Sequence, residues 1–66
     1  MKLTDLWSRL SQTFGPEYAA SVADDQVLTQ LGGRTINQAL ADHVEVHNIW
    51  RAVVAAYPDR VPARLR

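Results

Sequence analysis

"LGGRTINQAL", residues Leu31–Leu40, sits near the middle of a chain of 66 residues, and its reading decides the fold. Three structures compete for it: a phosphate-gripping loop, the turn of a DNA-reading helix-turn-helix, and a corner between two helices. The residue chemistry favours the corner. Gly32 follows the apolar Leu31, where a helix end calls for a left-handed residue. Thr35-Ile36-Asn37-Gln38 then matches the capping box that opens a new helix. In that box the Thr35 hydroxyl accepts from the Gln38 amide, and the Gln38 side chain reaches back. A Walker phosphate loop needs a lysine after its glycines and a strand before them, and neither is here. Only a weaker anion site survives, built from Arg34 and the free amides at the start of the Thr35 helix. A DNA-reading helix needs basic residues beside its base-reading face. The helix after Thr35 offers Asn37, Gln38 and Asp42, with Arg34 alone at its entrance.

Upstream of the corner, Leu3, Leu6, Trp7, Leu10 and Phe14 form one helical stripe. Thr4 is the expected N-cap, with Asp5 placed for the positive helix end. Gly15 stops this helix, and Pro16 suits the first turn of the next. In "PEYAASVADDQVLTQL", Tyr18 and Val22 share a face, while Val27, Leu28 and Leu31 share another. The two stripes do not phase together. The slip falls at Asp24 and Asp25, which are able to cap a new helix, so two short helices are expected, roughly 16–23 and 25–31, rather than one.

Downstream, "EVHNIWRAVVAAY" predicts the last helix. Its stripe Val46, Ile49, Trp50, Val53 and Tyr57 repeats the first one at a constant offset. The polar positions do not repeat, so two core helices share one amphipathic template and no duplication is implied. Pro58 ends the helix. Residues 58–66 then form a tail that lays Val61, Pro62 and Leu65 on the body with its arginines outward.

Seven basic and seven acidic residues give a net charge of zero, so bulk charge does not forecast nucleic-acid or membrane binding. No stretch approaches a membrane span, and "MKLTDLWSRL" lacks the apolar core and cleavage site of a signal peptide. With no cysteine there is no disulfide and no thiolate metal site, which fits a reducing cytoplasm. "HVEVH", His43 to His47, has a spacing able to share a metal. A helix boundary at Glu45 leaves His43 outside, however, and no third ligand is near. Ser8, Ser11 and Ser21 have no His–acid partner at readable spacing, and Asp24 and Asp25 point apart on a helix. No cofactor and no catalytic residue are expected.

Whole segments resemble a known family: "MKLTxLW" at Met1–Trp7, "FGPxYA" at Phe14–Ala19, "DxVLxxLGGRT" at Asp25–Thr35, "WRAV" at Trp50–Val53 and "VPARLR" at Val61–Arg66. The chain resembles the actinobacterial domain-of-unknown-function family 3046 over essentially its full length. The resemblance implies a short, helical, cytoplasmic, stand-alone protein with no assigned activity, often encoded near a recombinase and its regulator. It supplies no functional residues. Against the family pattern, His43 replaces a usual glycine, and Glu45-Val46 replaces Asp-Pro before the last helix. Glutamate is the poorer cap, so a ragged start to that helix is expected. "YPDR", Tyr57–Arg60, replaces a shorter link.

The sequence therefore predicts a single all-α domain over residues 1–66, a bundle of four to five short helices whose first and last members pack through Trp7 and Trp50. A non-enzymatic protein-interaction module with an unidentified protein partner is the leading functional expectation, as a monomer or weak homodimer away from membranes. Weak nucleic-acid binding, linked to recombination or repair, is the alternative. Arg34, Arg51, Arg60, Arg64 and Arg66 are the candidate partner contacts for either.

Overall fold

α1 (Leu3–Phe14) and α4 (Val46–Ala56) are the two long helices of the computed structural model, which describes all residues from Met1 to Arg66. Their common spacing becomes common burial. Leu6 and Leu10 on α1, and Ile49 and Val53 on α4, are all 0% exposed. The tryptophans are unequal: Trp50 is 2% exposed, while Trp7 packs part-buried at the edge of the core. Of the two tryptophans, Trp50 takes part in a contact that joins the helices, and the other such contact is made by Phe14 and Tyr57. The Arg9 guanidinium lies 5.7 Å from the Trp50 ring centre, and Phe14 meets Tyr57 edge-on at 5.1 Å. Both contacts advance in the same chain direction, so α1 and α4 run side by side in one sense. Residues 15–45 must carry the chain back between them.

α1 starts two residues earlier than the sequence suggested. Lys2, not Thr4, is the N-cap residue, and the Asp5 carboxylate accepts from the Lys2 backbone N–H at 2.9 Å. Thr4 falls inside the first turn. Gly15 closes the helix at φ 91°, and Pro16–Tyr18 form a turn before α2 (Ala19–Asp25) begins. The Tyr18 and Ala19 N–H groups both return to the Gly15 carbonyl, so the regular helix starts three residues after the proline. Ala19 and Ala23, one turn apart, face the core, and their small side chains let α2 sit close to its neighbours.

The expected second helix over 25–31 does not form. Asp24 and Asp25 end α2 instead of capping a successor, and the Asp24 carboxylate accepts from the Asn37 amide at 3.3 Å. Gln26 and Leu28 are extended, and a 3-10 turn occupies Thr29–Leu31. The cause is the double glycine. Gly32 and Gly33 take φ 70° and 79°, two left-handed residues in succession, which only glycine does without strain. They bend the chain so that the Leu28 N–H donates to the Arg34 carbonyl at 2.9 Å and the Gly33 N–H donates to the Leu28 carbonyl at 3.1 Å. Leu28 and Leu31 stay buried across the 3-10 turn, and Val27 is released to solvent.

α3 (Ile36–Ala41) opens as expected. The Gln38 N–H donates to Thr35 Oγ1 at 3.1 Å, and the Thr35 N–H donates to Gln38 Oε1 at 2.9 Å. This box satisfies the one buried polar side chain, Thr35. α3 ends in a Schellman motif: the Val44 N–H returns to the Ala39 carbonyl and the His43 N–H to the Leu40 carbonyl. His43 takes the left-handed position of that motif, at φ 62°. Glu45 precedes α4 and makes no side-chain cap, as the sequence suggested. The tail is held at its end, where the Trp50 indole N–H donates to the Leu65 carbonyl at 3.0 Å. Val61 is buried beside it in the common core.

Candidate functional site

One open groove interrupts the surface. It holds about 380 Å³ and is lined by Phe14, Tyr18, Val22, Gln26, Tyr57 and Arg60. Its construction follows from the fold. Tyr18, Val22 and Gln26 recur every four residues, so they form one edge of α2 and of the turn leading into it. That edge lies beside the Ala19–Ala23 face that packs inward. Across the gap stand the last residue of α1, Phe14, and the residue that caps α4, Tyr57, which form the edge-on pair. The turn after Pro58 then carries the Arg60 guanidinium to 5.2 Å from the Phe14 ring centre. The α2 edge borders this end of α1 and α4 and leaves the groove open to solvent.

The lining is apolar with a few polar groups at its rim. It contains both tyrosines of the chain, and Tyr18 is 65% exposed. Arg60 is its only charged member. No carboxylate, imidazole or hydroxymethyl group lines it, so it holds no nucleophile–base pair. No three His, Asp or Glu side chains come together anywhere in the molecule. His43 and His47 are both exposed, one in the loop after α3 and one on α4.

The candidate arginines divide. Arg60 lies over Phe14, and the Arg64 guanidinium donates to the Gln12 side chain at 3.1 Å. Arg9, which the sequence did not single out, donates to the Leu65 carbonyl at 3.5 Å. These three line the seam between α1 and the tail. Arg66 folds back onto the Pro58 and Val61 carbonyls. The tail arginines are therefore exposed, as expected, yet they also fasten the tail. Arg34 lies apart from them, in the only ion pair of the molecule, 3.1 Å from the Asp42 carboxylate. Arg51 is exposed on α4 with no polar side-chain partner.

Of the groove residues, only Arg60 was a sequence candidate. The signal for the rest was present: the Tyr18–Val22 face that failed to phase with Val27–Leu31 is the groove edge of α2. A stripe out of register with the core looked like a helix break, and it marks both a break and a second, solvent-facing surface.

No curated protein and no solved structure is detectably similar to the chain. A family model described as a protein of unknown function (DUF3046) matches residues 1–64, nearly the full length, and the chain belongs to that family.

Proposed function

We propose that this protein is a non-enzymatic protein-interaction module that works in the cytoplasm as a monomer or weak homodimer, without a cofactor. The observation that carries this reading is the groove at the α1–α4 ends. It gathers the exposed Tyr18 and Arg60 and the half-buried Tyr57 around open space beside the buried Phe14 ring. Tyrosine and arginine are the residue types that dominate binding energy at protein interfaces. A large exposed side chain such as Tyr18, next to unfilled apolar space, gains by burial against a partner.

A photo-reactive phenylalanine analogue at position 18 tests it in the cell that makes the protein. The same analogue at position 47, on the exposed start of α4, is the control. A discrete protein adduct from position 18 that position 47 does not give is the expected result. No adduct at position 18, or the same adducts from both, contradicts the reading.

Weak nucleic-acid binding is the second reading, favoured by the alignment of Arg9, Arg60 and Arg64 along one seam. It is the weaker one, because Arg9, Arg64 and Arg66 already donate to a side-chain amide and to backbone carbonyls. Arg34 is neutralised by Asp42. Absence of binding to single- and double-stranded DNA at about 50 mM salt, where phosphate contacts are strongest, eliminates it.

A further inference from the structure

The groove is one-sided in charge and carries unspent polar groups, and both features say what fits it. Arg60 is the only charged residue of its lining, and no carboxylate pairs with it. Its guanidinium donates no hydrogen bond, and neither the Gln26 amide nor the hydroxyls of Tyr18 and Tyr57 are bonded within the chain. The size of the groove speaks against a second copy as occupant. A stable dimer buries about 800 Å² per partner. That is about a fifth of the 4162 Å² this chain exposes, far more than six residues around one small groove supply. A short segment is in scale.

Resting on the interaction reading above, we infer that the groove binds a short acidic segment of a partner protein. An apolar side chain seats between Tyr18, Val22 and Tyr57, and a neighbouring carboxylate pairs with Arg60. The planar guanidinium, held over the Phe14 ring, presents a fork of donors that a carboxylate matches two-to-two. Gln26, at the far end of the α2 edge, offers both a donor and an acceptor to the backbone of the segment. A basic segment is rejected, because it places like charge against Arg60 in a partly desolvated site.

The test pans a phage-displayed library of random peptides, roughly a dozen residues long, on the full-length protein. The expected pool carries Asp or Glu within a few positions of an apolar residue. Its affinity falls about tenfold or more in both Arg60→Glu and Tyr18→Ala. Both positions are exposed, and far-UV melting curves confirm that the variants fold. A pool without acidic bias that Tyr18→Ala weakens and Arg60→Glu does not overturns the acidic class and leaves the groove reading standing. A pool indifferent to both substitutions, or no enrichment at all, overturns both. Binding of a labelled oligothymidine that depends on Arg60 and competes with the pool also overturns the acidic peptide, in favour of a nucleic acid.

Discussion

The α1–α4 pair is closed along its middle and open at its end. In the middle, Leu6, Leu10, Ile49 and Val53 exclude all solvent, and Trp50 seals them with its indole N–H satisfied by the Leu65 carbonyl. At the end, Phe14 and Tyr57 meet over a gap that Tyr18 borders without filling. One amphipathic template, used twice, produced both. Its inner members are buried in the core shared with α2, the 3-10 turn and α3, whereas its last members, Phe14 and Tyr57, line the groove. The lesson is that one hydrophobic stripe used twice does not give equal burial at every position, because burial also depends on what packs against each copy. At the last position Phe14 is still buried, Tyr57 is only half-buried, and Tyr18 beside them stands in solvent.

The largest effect belongs to the closed middle. Trp50→Ala removes a buried indole and its hydrogen bond, a loss of about 3–5 kcal/mol. A domain of this size holds about 3–10 kcal/mol in total. Circular dichroism is expected to find little folded protein at 25 °C, and a cooperative melt close to wild type would show that Trp50 is not core. Thr35→Ala tests the corner that closes the far side of the core. It removes one half of the capping box at a buried position, and a denaturant melt should register about 1–2 kcal/mol of destabilisation.

These two sites also show how much was legible in the sequence. The stripes on α1 and α4 were readable because apolar periodicity is a local pattern that burial then confirms. The Thr35 box was readable because both partners lie within one turn. The region from Gln26 to Arg34 was not. Its outcome hangs on a backbone bond from Leu28 to Arg34 and on two consecutive left-handed glycines, and neither leaves a periodic trace. Reading Gly32 as a helix stop was right in conformation, but the helix it was meant to stop is a 3-10 turn. The groove was half legible. Tyr18 and Val22 announced a second face, but what stands opposite them depends on where α1 and α4 end in space.

The next effect is a gain. His43 holds the left-handed position of the Schellman motif, where a side chain costs about 1–2 kcal/mol relative to glycine. His43→Gly is expected to recover about 1 kcal/mol once the greater freedom of glycine in the unfolded chain is deducted. For a domain of this size that is a rise of about 4–8 °C in the melting midpoint. An unchanged or lower midpoint would show that the αL strain is offset elsewhere. The exposed Arg34–Asp42 pair spans the same helix and changes little on its own.

Smallest of all is the effect of the open end on stability. Tyr18→Ala alters a side chain that is 65% exposed, so its denaturant midpoint should stay within about 0.5 kcal/mol of wild type while peptide binding is lost. A drop comparable to that of Thr35→Ala would place Tyr18 in the fold and close the distinction between the two regions.

The division between a closed middle and an open end is tested most directly by amide chemical-shift mapping. The labelled full-length protein is titrated with the tightest acidic peptide of the enriched pool. The expected shifts fall on Phe14 to Gln26 and on Tyr57 to Val61, with Gly32 to His43 unmoved. Shifts centred on Arg34 and the Gly32–Thr35 corner, with the Tyr18 and Tyr57 amides silent, would contradict it.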